Sequence, residues 1–198
     1  MLPQIEIARN YLLMMKMLTS WWGVHELVVE EKKCYLYELS SAMRYYSSSI
    51  SEQTQFLTIA AQESKFSYTS IEAPLKNPNS GACGPYQIIP KWSVPEPKAT
   101  CEDLHDPFEA TWRAREALKA IGRMVSKENV MCYYATGNLE CSHKKTPYSR
   151  KHEKIKRRIK KARREVLRYP EKYLGFVLQD LKRDCYVDHD TSAVPFRE

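Results

Sequence analysis

The segment 146–168, TPYSRKHEKIKRRIKKARREVLR, constrains the fold more than any other part of the chain. Its apolar residues recur every three or four positions, the spacing of one face of an α-helix, and they are Ile155, Ile159, Ala162 and Val166. A helix of this length must bury its apolar face against other elements. Glycine, which loop-rich β architectures need, is scarce, with 6 residues. The sequence therefore predicts a mainly α-helical protein.

Helical segments are also predicted along much of the remaining chain. The clearest start signal is Asp106 followed by Pro107, because Asp caps a helix and Pro fits the first helical turn. Ser51 is predicted to cap the helix that carries Glu63. Residues 67–106 contain clustered prolines and glycines and are predicted to be loops, with at most short strands or one short helix. The further predicted helices are 1–23, 25–46, 107–125, 128–136 and 171–183.

A chain of 198 residues fits one domain with extensions, or two small domains. We expect an N-terminal helical extension at 1–50, a central domain at 51–165, and a C-terminal helix and tail at 166–198. No apolar run is long enough to cross a membrane, so no transmembrane segment is predicted. The apolar patch at 11–18 is interrupted by Lys16 and no cleavage motif follows it, so no secretory signal peptide is predicted.

The chain is basic, with 31 Lys and Arg against 24 Asp and Glu, which gives a net charge of +7. Such a balance indicates an anionic partner, namely nucleic acid, a membrane surface or an acidic polymer. It is equally compatible with a surface that is simply well solvated.

The six cysteines leave two interpretations open. They form no C-x-x-C motif and histidine is too sparse near them for a zinc site, so no metal site is predicted. An even number permits three disulfides, and Cys132 and Cys141 flank one loop that they could bridge. The alternative is a set of buried free thiols.

The helical pattern indicates Glu63 as a candidate catalytic residue. It shares a helix face with Phe56, Ile59 and Ala60. Burying a charged carboxylate is costly unless it is paired or its pKa rises. A glutamic acid that stays protonated near neutral pH can act as a general acid in glycosidic bond cleavage.

Three motifs occur in a fixed order around this residue: QESKF at 62–66, SGACGPYQIIP at 80–90 and CYYATG at 132–137, with Pro147-Tyr148 soon after. Together they resemble the lytic transglycosylase and goose-type lysozyme superfamily of peptidoglycan muramidases. Members carry E-S at a helix end, then a G-L-M-Q-like turn, then a Y-N-A-G-like segment. The resemblance covers roughly residues 52–160, and it implies a lysozyme-like helical domain there.

The resemblance assigns roles to individual residues. Glu63 matches the single catalytic acid of the family. The turn of this chain has Pro85 where the family has Leu and Tyr86 where it has Met, and Ala135 and Thr136 replace the Asn and Ala of the third motif. The residues implied to bind the substrate are Ser64, Gly84, Tyr86, Gln87, Tyr134, Gly137 and Tyr148.

The implied substrate is a peptidoglycan glycan strand, cut between MurNAc and GlcNAc without a metal or cofactor. Protonated Glu63 would donate to the leaving oxygen and then accept the proton of the MurNAc C6 hydroxyl, which closes a 1,6-anhydro ring. Hydrolysis by a second carboxylate is the alternative. The acidic residues available in the loop region are Glu72, Glu96, Glu102 and Asp103, and for each of them a surface charge is the preferred interpretation.

The family also implies a biological setting. Its members act in the periplasm or cell wall, and a chain without a signal peptide fits a phage virion protein, an endolysin or a secretion-system muramidase that opens the wall locally. Residues 1–50 could then contact other virion or secretion-apparatus proteins. Trp92 and Trp112 are expected in the core rather than as sugar-stacking platforms.

The basic helix at 150–168 has three interpretations: a solvated face, a docking surface for the acidic cell-wall polymer, or a nucleic-acid contact, which is possible but not favoured. The rival to an enzyme is a catalytically silent, lysozyme-like structural component or a nucleic-acid-binding protein. Retention of Glu63, Gln87 and Tyr134 together argues for activity.

Overall fold

The architecture is taken from a computed structural model, which describes residues 3–25, 29, 32–66, 79–141 and 146–185. The predicted loose tail at 186–198 and the candidate carboxylate Glu72 lie outside the described residues.

The described chain consists of helices joined by turns, which confirms a mainly α protein. Two backbone hydrogen bonds pair Cys83 with Ile88 as an isolated bridge, and the described ranges contain no longer strand. Whether the helices adopt a lysozyme-like arrangement stays a prediction. The helices are α1 Pro3–Lys16, α2 Lys33–Tyr46, α3 Ile50–Ser64, α4 Pro107–Met124, α5 Val130–Thr136, α6 Pro147–Val166 and α7 Glu171–Cys185, with a π-helical turn at Met17–Trp21 and 3-10 turns at Pro90–Trp92 and Asp103–His105.

Side-chain caps set several of these boundaries. Asp106 accepts a hydrogen bond from the Glu109 backbone N–H and starts α4, as the sequence predicted. Thr146 starts α6 in the same way. The cap of α3 is Ser49 rather than Ser51, because the Ser49 hydroxyl accepts from the Glu52 N–H one turn later. The prediction of Ser51 is therefore wrong by two residues.

One hydrophobic cluster holds the helices together. It includes Leu13 of α1, Leu39 of α2, Ile59 of α3, Ile159 of α6 and Leu178 of α7. Helix α1 packs on α2, α6 and α7, and α3 packs on α6. Residues of all three predicted parts therefore share one core, and the division at residues 50 and 165 stays a prediction.

All six cysteines are paired, so the free-thiol interpretation is wrong. The predicted bridge between Cys132 and Cys141 is confirmed, and it closes the loop after α5. Two further bridges join Cys83 to Cys101 and Cys34 to Cys185. The last one ties the start of α2 to the end of α7 across 151 positions of sequence.

In the part of the chain that the structure describes, no helix combines the length and the apolar character needed to cross a bilayer.

Candidate active site around Glu63

Glu63 lies in the last turn of α3, at the edge of the hydrophobic core. Phe56, Ile59 and Ala60, with which it was predicted to share a face, are fully buried, while Glu63 itself is half-buried. The helix ends immediately afterwards, because Lys65 adopts a left-handed conformation with φ 48°. The carboxyl group is therefore held at a rigid helix end, where core and surface meet.

The first turn of α6 meets this carboxyl group. The Tyr148 hydroxyl donates a hydrogen bond to Glu63 Oε1. The neighbouring Gln62 amide donates to the Tyr148 backbone carbonyl over 3.3 Å. Both residues at the end of α3 are thus joined to Tyr148, which fixes the position of the phenol relative to the carboxyl.

The electrostatic environment keeps Glu63 easier to protonate than an ordinary glutamate. Burial raises its pKa, while the Tyr148 hydroxyl and the positive charge of Lys151 pull in the opposite direction without cancelling the rise. Burial and the adjacent Glu63 carboxylate raise the pKa of Tyr148 strongly. Tyr148 therefore keeps its proton and acts as a hydrogen-bond donor.

Tyr134 approaches the same region from α5. Its hydroxyl donates to the backbone carbonyl of Tyr86 over 2.8 Å. Its pKa is raised by burial first and then by the charge of Glu63. The Tyr86 side chain points elsewhere: it is fully buried and its hydroxyl lies 3.0 Å from that of Thr111. Tyr86 thus reaches this site through its carbonyl.

The turn at 83–88 is attached to the end of α3 by a side chain. The Ser64 hydroxyl donates to the Pro85 carbonyl over 2.8 Å and to the Ala60 carbonyl over 3.1 Å. Gly84 adopts φ 73°, and a Cβ there would fall 1.8 Å from the Leu104 carbonyl oxygen. Only glycine fits this position, because both the backbone conformation and the close approach exclude a side chain.

Gln87 and Gly137 are placed by turn geometry. Gln87 has φ 49° and is half-buried, and its side-chain amide donates to the Gly84 carbonyl over 3.0 Å. Gly137 ends α5 with φ 66° and is exposed. The structure brings Glu63, Ser64, Tyr148, Tyr134 and the 83–88 turn into one connected set, with Gly137 one helical turn beyond Tyr134.

Some residues of the site were not foreseen. Lys151 was counted only as part of the basic helix, although its position three residues after Tyr148 places it on the adjacent turn. His152 is buried, and its ring stacks on that of Tyr148 with centroids 6.5 Å apart. Trp92 was expected in the core, but it is 67% exposed, two residues after the Ile89-Pro90 step that follows the turn. Trp112 is half-buried.

The three alternative carboxylates that the structure describes lie on the surface. Glu96 pairs with Lys98 over 2.8 Å, Glu102 is exposed, and Asp103 accepts hydrogen bonds from the backbone and side chain of Thr100. Glu96 and Asp103 thus make local surface contacts, and Glu102 is exposed to solvent.

Comparison with known proteins identifies no relative, so the functional argument rests on the residues of the site. No family model matches the chain, and neither the curated proteins nor the solved structures include a match. Across the described ranges, no three His, Cys, Asp or Glu side chains come together in a way that could hold a metal ion. The resemblance to lytic transglycosylases therefore stays a prediction based on the three motifs.

Proposed function

We propose that this protein is a peptidoglycan lytic transglycosylase that cleaves the MurNAc-β-1,4-GlcNAc bond and leaves a 1,6-anhydroMurNAc end. The observation that carries the proposal is the Glu63 carboxyl: it is half-buried at a helix end, its pKa is raised by burial, and a tyrosine donor holds one of its oxygens. This is the environment that a general acid needs near neutral pH.

In this proposal the two oxygens of Glu63 have different tasks. Tyr148 donates to Oε1, so Oε2 is left to carry the acidic proton toward the leaving oxygen of the sugar. As the C1–O4 bond breaks, that proton moves to O4 of GlcNAc. The Glu63 carboxylate then accepts the proton of the MurNAc C6 hydroxyl while O6 bonds to C1. The acid is regenerated and no water is consumed.

The surroundings of Glu63 support a single-carboxylate reaction. A hydrolase of this type would position a second carboxylate about 5–10 Å away. Of the candidates that the structure describes, Glu96 and Asp103 are exposed and make surface contacts, and Glu102 is exposed. Burial, Tyr148 and Lys151 account for the pKa shift of Glu63. An intramolecular nucleophile, the C6 hydroxyl of the substrate, fits this arrangement better than an activated water.

We also propose that the protein acts in the periplasm or cell wall, as a virion-associated or secretion-system muramidase that opens the wall locally. Three disulfides support this setting, because such bonds persist in oxidising compartments. Residues 1–50 remain the proposed contact region for other proteins of such an assembly, through whatever surface α1 and α2 leave uncovered by the core.

The proposal is tested by digestion of purified sacculi with wild-type protein and with Glu63→Gln. Glu102→Gln is the matched control, because it makes the same change at an exposed glutamate. We expect clearing by wild type and control, loss of clearing with Glu63→Gln, and anhydro-muropeptides in the mass spectra of the products.

Other outcomes would separate the alternatives. Reducing MurNAc ends without anhydro products would replace transglycosylation by hydrolysis. Equal clearing by wild type and Glu63→Gln would refute the catalytic role of this residue. Absence of clearing together with strong, salt-sensitive DNA binding would instead favour a non-enzymatic, nucleic-acid-contacting protein.

A further inference from the structure

The solvent side of α6 carries a continuous row of positive charges. Four cations recur every three or four positions along its exposed face, opposite the buried Ile155 and Ile159. We call this row the basic stripe, and it consists of Lys154, Arg157, Lys161 and Arg164.

In the described ranges, none of the four cations of the basic stripe lies within ion-pair distance of an acidic side chain. Glu165, which follows the stripe on α6, pairs with Lys16 of α1, and the charge of Lys161 acts on it more weakly. Like charges three or four residues apart repel each other on a helix. An anion bound from outside would reduce the repulsion among the four cations and thereby stabilise the helix.

The basic stripe begins next to the candidate active site. Tyr148, which donates to Glu63, is in the first turn of α6, and exposed Lys151 follows one turn later and precedes Lys154 by another. Lys151 is close enough to Glu63 for its charge to affect the carboxyl. At 1.5 Å per residue, the stripe then extends for about 15 Å from Lys154 to Arg164. The steps from Tyr148 through Lys151 to Lys154 turn about 120° around the helix, from the face of Ile155 to the solvent side. A polymer held at Glu63 therefore meets the stripe by turning around α6 past Lys151.

We propose that the basic stripe binds the stem-peptide carboxylates of the peptidoglycan strand whose glycosidic bond lies at Glu63. This inference rests on the proposed function, which supplies the anion: carboxylates are repeated along the same polymer that the active site holds. Single exposed ion pairs contribute little. Several pairs along one tethered polymer act together, because each contact after the first is effectively intramolecular. Continuity with the site favours the substrate's own carboxylates over the phosphates of nucleic acid.

The test compares two quadruple variants with the same change in charge. The first is the stripe variant, with Lys154, Arg157, Lys161 and Arg164 all changed to Gln. The control changes four exposed cations elsewhere to Gln, at Arg123, Lys127, Lys172 and Lys182. Cosedimentation with sacculi free of phosphate polymers measures binding in a Glu63→Gln background. Turnover is measured with Glu63 intact, on the same sacculi and on glycan strands whose stem peptides have been removed.

We expect the stripe variant to bind sacculi roughly tenfold more weakly than the control at low salt, with a smaller salt dependence, because exposed charges are screened. Wild-type binding should fall to the same level on sacculi whose carboxylates have been amidated. Turnover of peptide-free glycan should be equal for stripe variant, control and wild type. These results would support binding of the stem carboxylates.

The inference and the proposed function can fail separately. If wild type cleaves sacculi but the stripe variant binds them as the control does, the stripe has no such role and the enzyme assignment stands. Loss of DNA binding in the stripe variant, with unchanged binding to sacculi, would overturn the inference in favour of a nucleic-acid contact. If no variant cleaves sacculi or peptide-free glycan, the proposed function itself fails, and the inference fails with it.

Discussion

A buried polar network joins α1 to the two helices that carry the candidate site. Arg163 of α6 donates to Glu6 over 3.2 Å and to Asn10 over 2.7 Å, and Arg9 donates to Glu6 over 2.7 Å. Asn10 in turn donates to Gln53 of α3 over 2.9 Å. All five side chains belong to buried residues. Two guanidinium groups therefore share one carboxylate inside the protein.

Because two arginines share one glutamate, we expect removal of the negative charge to lower the free energy of unfolding more than removal of one positive charge. Glu6→Gln leaves Arg9 and Arg163 without the carboxylate that both contact, and breaking a buried pair in this way costs about 3–5 kcal/mol. Arg163→Met keeps the Arg9–Glu6 pair and leaves the Asn10 carbonyl oxygen without this donor, a cost of about 1–3 kcal/mol. Burial lowers the pKa of Arg163, the charge of Glu6 opposes this, and the positive charge of Arg9 adds a smaller lowering.

Urea unfolding with all three disulfides intact measures both free energies. We expect Glu6→Gln to be less stable than Arg163→Met by about 2 kcal/mol, the difference between the two ranges above. Arg164→Met is the matched control for the arginine change, because Arg164 is exposed and surface substitutions usually stay within about 0.5 kcal/mol. If Arg163→Met proves as destabilising as Glu6→Gln, the carboxylate is not the limiting member of the network and the charge argument is wrong.

Three further predictions concern the active site and the disulfides. Tyr148→Phe removes a hydrogen bond that lowers the pKa of Glu63, so the alkaline limb of the pH profile for kcat/KM should move to higher pH, while kcat falls; an unmoved limb would contradict this. Because burial raises the pKa of Glu63 above 4.5, ionisation of the unfolded chain destabilises the fold as the pH rises past that value. Glu63→Gln should therefore be more stable than wild type at about pH 7 and equal to it near pH 3, as thermal unfolding can show. Replacing Cys34 and Cys185 by Ser opens a loop of 151 residues and should cost up to about 5 kcal/mol in urea unfolding, more than loss of either shorter bridge.

The helices with local signals were predictable from the sequence. Asp106-Pro107 marks the start of α4 because the cap and the proline act on the residues that follow them. The apolar period of 146–168 similarly predicts α6 and its buried face, including Ile155 and Ile159. The helical register also placed Glu63 on the face of Phe56 at the end of α3. In each case the deciding interactions lie within a few residues of sequence.

The features that depend on distant contacts were not predictable in this way. Tyr86 is fully buried, with its hydroxyl 3.0 Å from that of Thr111 on α4, and Trp92 is 67% exposed. The pairing of Cys34 with Cys185 depends on how α2 and α7 meet. Hydrophobicity and periodicity indicate which face of a single segment is buried. They do not indicate which other segment that face contacts.

The 83–88 turn is attached to its neighbours through two backbone carbonyls. They belong to Pro85 and Tyr86, which stand where the predicted resemblance has Leu and Met. Ser64 donates to the first carbonyl from α3, and Tyr134 donates to the second from α5. Both contacts are made by the backbone, whereas the Tyr86 side chain is fully buried and meets Thr111.

The turn itself depends on Gly84, one of the residues on which the predicted resemblance rests. At position 84 only glycine can adopt φ 73°, because a Cβ there would lie 1.8 Å from the Leu104 carbonyl oxygen. Changing Gly84 should therefore disturb both carbonyls and, through Ser64 and Tyr134, the surroundings of Glu63.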